Sequence, residues 1–246
     1  MKRHSCLLVT ALLFASCRTT APLSPSQGAP AAGQSVTAAL PDSIKWVRSS
    51  AEYVAAFAQT YRLATARVES AATQHAGAPW AVVLDADETV INNAQYQEER
   101  ARAGLPYSDE SWDAWVKRRA ATPLPGVAAF LTRVHALGGR IAIVTNRLES
   151  QCADTQAVFT THALVVDVML CRPDGTSSDK NPRFRAVESG AAFHLATPVD
   201  VVAYLGDNIL DFPGLSQQVR SGGPEGFSQF GVRYFVLPNP MYGSWQ

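Results

Sequence analysis

Between residues 42 and 74, apolar side chains recur at three- and four-residue steps: Ile44, Val47, Val54, Phe57, Tyr61, Ala64 and Val68. That spacing gathers them on one helical face. It predicts an amphipathic helix capped at Asp42 or Ser43 and reaching about Gln74, with a break near Ser49-Ser50. After Gly77-Ala78-Pro79 the pattern changes to a short unbroken apolar run, residues 80–84, which suits a strand buried on both faces. Similar runs follow at 140–144, 164–170, 199–205 and 232–237, separated by helical periodicity at about 126–138, 149–162, 181–192 and 211–220. Strands alternating with helices predict an α/β fold, a parallel sheet with helices on both faces. A longer insert, 92–125, separates the first two strands. Within it Ser108-Asp109-Glu110-Ser111 signals the start of a helix carrying Trp112 and Trp115.

The first forty residues read differently. Lys2, Arg3 and His4 precede a short apolar stretch that ends at Phe14-Ala15-Ser16-Cys17. The stretch is too short to span a bilayer as a helix, so residues 1–16 are expected to be a secretory signal peptide. The sequence around Cys17 is similar to a bacterial lipobox, which implies acylation of Cys17. Residues 17–40, rich in Ala, Pro, Ser and Thr, would then be a lipid-anchored flexible tether, and 41–246 the folded domain. The expected location is then the bacterial envelope, at the outer membrane or the periplasmic face.

Composition narrows the picture. The 246 residues are 47% hydrophobic and 17% charged, enough for a substantial core. With 21 basic and 21 acidic residues the formal net charge is zero, which argues against a nucleic-acid polymer as partner. The five histidines are scattered and no Cys-x-x-Cys pair occurs, so a zinc site is not expected. Cys152 and Cys171 remain in an exported, oxidising setting and are expected to form a disulfide near the carboxyl edge of the sheet.

Functional groups in such sheets collect at the carboxyl ends of strands. The first strand ends in Asp85-Ala86-Asp87-Glu88-Thr89 and the second in Thr145-Asn146-Arg147. The third leads to Asp179-Lys180-Asn181-Pro182, and the fourth ends in Gly206-Asp207-Asn208-Ile209-Leu210-Asp211. Carboxylates, a hydroxyl and an ammonium thus meet on one rim. Asp85, Asp207 and Asp211 can cage a hard cation, for which Mg²⁺ is the natural occupant. Thr145 and Lys180 can hold phosphate oxygens, and Asp87 can act as acid and then base. No Walker loop, Gly-x-Ser-x-Gly or Gly-x-Gly-x-x-Gly occurs.

These four motifs resemble those of the haloacid dehalogenase (HAD) superfamily. Within it, Ser50-Ala51-Glu52-Tyr53 and the terminal Leu237-Pro238-Asn239-Pro240-Met241-Tyr242-Gly243-Ser244-Trp245 resemble the bacterial class C acid phosphatases and 5′-nucleotidases. The resemblance implies a Rossmann-like, HAD-like core with a small helical cap from the N-terminal helix and the insert. It implies Asp85 as nucleophile and Mg²⁺ ligand. Asp87 would be the general acid/base, lending its carbonyl to the metal, and Asp207 and Asp211 would be further metal ligands. Thr145, Asn146 and Lys180 would bind phosphate, and Trp112 and Tyr242 would stack on a nucleoside base. Asn92 stands where relatives usually carry Asp. The function so implied is Mg²⁺-dependent hydrolysis of phosphomonoesters, including nucleoside 5′-monophosphates. Two other readings stay open: another metal-dependent Asp-x-Asp enzyme such as a nucleotide-sugar transferase, and a non-catalytic surface binding lipoprotein.

Overall fold

The computed structural model describes residues 39–75 and 77–246. The signal peptide, Cys17 and nearly all of the tether lie outside them. The chain begins with helix α1 (Asp42–Ser49) and, after a break, α2 (Ala51–Gln74). Ser50 makes the break: it is extended, and its side chain accepts from the Tyr53 N–H to cap α2. The remaining order is β1 (Trp80–Leu84), β2 (Ile91–Asn92), α3 (Ala94–Arg102), α4 (Asp109–Arg118), β3 (Thr122–Pro123), α5 (Val127–Ala136) and β4 (Arg140–Leu148). Then follow α6 (Cys152–Thr161), β5 (Val168–Arg172), α7 (Asn181–Glu188), β6 (Asp200–Gly206) and β7 (Tyr234–Val236).

Five strands form one sheet in the order β5-β4-β1-β6-β7, with every pairing parallel. All five residues of β1 are buried, as its apolar run requires. Val82 and Leu84 point to one core, shared with Phe57 and Tyr61 of α2, Phe130 of α5 and Phe159 of α6. Ala81 and Val83 point to the other, shared with Phe184 and Val187 of α7. Helices therefore cover both faces. The chain leaves β1 toward β4 and β5, then returns to the opposite side of β1 for β6. That reversal opens a crevice at the carboxyl ends of β1, β4 and β6.

The two-stranded antiparallel ladder β2–β3 ties together the two ends of the insert. Between them lie α3 and α4. The start of α4 is a capping box in which Ser108 and Ser111 exchange side-chain and backbone hydrogen bonds. The N-terminal helices divide between two layers: α1 packs against α3, while α2 packs on the sheet with α5.

Three expected elements moved. The run at 164–170 becomes a strand only from Val168. Leu164 instead closes α6, donating its N–H to the Phe159 carbonyl after Ala163 turns left-handed at φ 52°. The helix expected at 181–192 ends at Glu188, where Gly190 (φ 83°) breaks it. No α-helix forms over 211–220: Pro213 and Gly214 interrupt it, and short 3₁₀ turns at Ile209–Asp211 and Gln217–Ser221 take its place.

Candidate active site

Asp85 leaves β1 with its N–H bonded to the Leu205 carbonyl of β6, which fixes it at the crevice. The next residues turn tightly, with the Val90 and Ile91 N–H groups both donating to the Ala86 carbonyl. Glu88 occupies the left-handed region at φ 52° and is fully buried. Its carboxyl accepts from the Asn93 N–H (2.7 Å) and from Asn93 Nδ2 (3.3 Å). Burial, and next the Asp87 and Asp207 carboxylates, push the Glu88 carboxyl well above the usual range.

Carboxylate oxygens of Asp85, Asp207 and Asp211 lie within 4.8 Å of one another. The Lys180 ammonium sits among them, bonded to Asp85 Oδ1 and, at 2.6 Å, to Asp211 Oδ1. Asp211 also accepts the Asn208 N–H through Oδ2 (2.9 Å). This close seat depends on Gly206, where a Cβ would stand 2.2 Å from Asp211 Cβ. Asp207 accepts from Asn239 Nδ2 (2.8 Å), a residue of the terminal motif. Burial, opposed by Lys180 and reinforced by repulsion from Asp211 and Asp87, leaves the Asp85 carboxyl raised to about 7. Burial, then Asp211 and Asp85, push Asp207 well up. Burial alone would lower the Lys180 ammonium, but the Asp211 and Asp85 carboxylates outweigh it and hold Lys180 firmly protonated.

Asp87 faces a different partner. The buried Arg147 guanidinium grips it, with Nε 3.0 Å and Nη2 2.8 Å from Oδ1. Thr145 is fully buried, its hydroxyl accepting the Arg147 N–H at 3.1 Å. The wall of the cleft there is formed by Asn146 and Arg147. Asn146 is held by Arg183 Nη2 at 2.6 Å.

These groups open into one cleft of about 670 Å³. Asp85, Asp87, Asn146, Lys180, Asp207 and Asp211 line it, and so do Trp112 and Tyr242, which are 130 positions apart in the chain. A family model for the HAD superfamily, subfamily IIIB (acid phosphatase), matches residues 9–245.

The chain belongs to the HAD acid phosphatases.

Solved structures agree. The class C acid phosphatase from Bacillus anthracis superposes with a TM-score of 0.72 at 26% identity, covering 83% of this chain and 85% of that one. The same relative with tungstate bound matches equally. Membership makes this phosphatase a phosphomonoesterase and removes the transferase and the binding lipoprotein from the alternatives.

Cys152 and Cys171 are joined in a disulfide with Cα atoms 6.0 Å apart, stapling the start of α6 to the end of β5. Asn92, the departure from the usual Asp, lies outside the acidic cluster. Its side chain accepts the Ala94 N–H (2.7 Å) at the start of α3.

Sequence reasoning gave no role to Glu88, Asn93, Trp115, Thr155 or Asn239, and quoted Arg147 only as part of a motif. Asn93 bonds both Asp87 and Glu88, and its Oδ1 accepts from Trp115 Nε1 at 2.8 Å. The one local signal was the position of Glu88-Thr89 and Asn93 beside the Asp-x-Asp pair.

Proposed function

We propose that this phosphatase transfers the phosphoryl group to Asp85, with Asp87 moving the proton and Mg²⁺ held by Asp85, Asp207 and Asp211. One observation carries the reading. Three carboxylates converge within 4.8 Å against a single ammonium. The ionised cluster is short of positive charge by an amount that a divalent cation with oxygen preference would supply. When bound, that cation keeps Asp85 ionised and offsets charge on the transferring oxygens. The Asp87 carbonyl would complete its protein ligands.

In the first step an Asp85 oxygen attacks phosphorus. Lys180 occupies Oδ1, so Oδ2 is the oxygen without a protein donor among the described residues. The ester P–O bond breaks, and the leaving oxygen takes a proton from Asp87. In the second step Asp87 takes a proton from water, the hydroxyl attacks phosphorus, and the bond to Asp85 breaks, releasing phosphate. Lys180 and Asn146 bind the phosphoryl oxygens from the cleft wall, whereas Thr145, expected to join them, is fully buried and does not line the cleft. Tungstate, bound by the Bacillus anthracis relative, is a tetrahedral oxyanion like phosphate, which supports an oxyanion site here.

Substrates would include nucleoside 5′-monophosphates. Trp112 and Tyr242 line the same cleft as Asp85, and stacking on one aromatic is worth roughly 1–3 kcal/mol per base. The signal peptide 1–16, the acylated Cys17, the tether 17–40 and the domain 41–246 complete the proposal: an enzyme lipid-anchored at the bacterial envelope. Labelling with a radioactive fatty acid checks the anchor; an unlabelled mature chain would remove it.

The chemical proposal is tested by phosphate release from nucleoside monophosphates, sugar phosphates and an aryl phosphate, with and without Mg²⁺. Asp85→Asn should lower turnover by several orders of magnitude while the fold survives. Retention of more than about a tenth of the activity, about 1.4 kcal/mol of barrier, would rule out covalent catalysis on Asp85.

A further inference from the structure

The buried network around Asp87 is more elaborate than holding one carboxylate requires. Asp87 Oδ1 accepts three hydrogen bonds: from Arg147 Nε (3.0 Å), Arg147 Nη2 (2.8 Å) and Asn93 Nδ2 (2.8 Å). Oδ2 accepts only the longer arm of the bifurcated Nε bond, at 3.2 Å. The two oxygens are therefore not equivalent. Oδ1 is saturated, and Oδ2 is the one left to carry and exchange a proton.

The donors are themselves fixed. Arg147 Nη1 donates to Thr155 Oγ1 (3.1 Å) and Nη2 also donates to Asn93 Oδ1 (3.1 Å). Asn93 Oδ1 accepts from Trp115 Nε1 (2.8 Å) as well, so the amide must turn its NH₂ toward Asp87 and Glu88. The guanidinium carbon lies 5.3 Å from the centre of the Trp112 ring. Arg147, Asn93, Trp115 and Thr155 are all buried, so water competes little for these bonds.

We infer that Arg147, seated by Asn93 and Thr155, is a positioning residue for the proton transfer: it pins Asp87 through Oδ1 and presents Oδ2 to the leaving oxygen. This rests on the proposed role of Asp87 as acid and base. A planar fork is required, because a lysine supplies a point charge and cannot fix both the rotation of the carboxylate and its own link to Thr155. A misplacement of about 1 Å at such a group can cost on the order of 10²-fold in rate.

The test is the leaving-group dependence of kcat/KM for purified Arg147→Lys, for Thr155→Val, which at nearly constant shape deletes the Arg147 Nη1 bond together with the Thr155 hydroxyl's own bond to the Gln151 carbonyl, and for Asp87→Asn. A simple alkyl phosphate is compared with p-nitrophenyl phosphate, whose leaving group needs no proton. Arg147→Lys is expected to lose about 10²-fold on the alkyl ester and under about fivefold on the aryl ester. Thr155→Val should show the same bias at smaller size. The second step also needs Asp87, so Arg147→Lys should show a burst of p-nitrophenol absent from the unaltered enzyme. Equal losses on both esters in both variants, or a rise in KM alone, would mean that Arg147 merely supports the fold or binds phosphate, and would overturn the inference. If Asp87→Asn shows the bias and the other two do not, the inference falls while Asp87 keeps its role. If Asp87→Asn shows no bias either, both fall. Should Arg147→Lys fail to fold, the bias in Thr155→Val decides.

Discussion

Lys180→Met removes a charge on which two buried carboxylates depend. The Lys180, Asp85 and Asp211 side chains are 4%, 9% and 5% exposed, so solvent cannot replace the lost ammonium. Removing one partner of such a buried arrangement costs about 3–5 kcal/mol, because it strands the opposite charge. With an m-value of about 2.5 kcal/mol/M in urea, the midpoint should fall by roughly 1–2 M. The loss should depend on pH in a definite direction. Asp85 already stands raised to about 7 with Lys180 in place, chiefly through burial, and deleting Lys180 removes the group that opposes this rise. A carboxyl raised in the folded state binds more protons there than in the unfolded chain, so its folded form loses stability as pH rises through that value. The deficit should therefore be largest near pH 8 and shrink toward pH 5 as the carboxyls take up protons. Urea titrations in chelator at both pH values measure it. A deficit under about 1 kcal/mol at pH 8, or one that grows on acidification, would refute the electrostatic account of the cluster.

Chelation should abolish phosphate release, and Mg²⁺ should raise the melting temperature more at pH 7.5 than at pH 5, since protonated Asp85 and Asp207 cannot ligate; a gain independent of pH would place the ion elsewhere. Trp112→Ala and Tyr242→Ala should raise KM for nucleoside monophosphates while leaving aryl phosphate hydrolysis closer to normal, and kinetics unchanged in both would remove the base-stacking role. The Cys152–Cys171 bridge closes a segment with a sequence separation of 19; replacing both residues with Ser should cost roughly 3 kcal/mol. Two free thiols at these positions in the unfolded, unreduced protein would show that no bridge forms.

The motifs at the strand ends were legible because each is a local string following a local apolar run. Burial on both faces demands continuous hydrophobicity, so 80–84 announces β1, and Asp85 must then emerge at its carboxyl end. The parallel sheet with helices on both faces followed from the alternation of periods alone. Where an apolar run could serve either a helix end or a strand, the sequence misled. Leu164 packs as the closing residue of α6, and β5 starts only at Val168 because Val168 is where the chain comes into register with Ala142 of β4. The expected helix over 211–220 was overridden by Pro213-Gly214 and by the need to seat Asp211 against Gly206. Of the network around Asp87, only Glu88-Thr89 and Asn93 lay close enough in the chain to leave a local signal. Arg147 stands 60 positions from Asp87 and 54 from Asn93, and Trp115 stands 22 from Asn93. No periodicity connects such distances. Which carboxylate oxygen is saturated, and which way an amide is turned, depends on donors brought together only when α4 and α6 close over the ends of β1 and β4. Sequence determines which chemical groups are available at the rim; tertiary packing decides their orientation, because hydrogen-bond direction is a property of assembled side chains and not of their order in the chain.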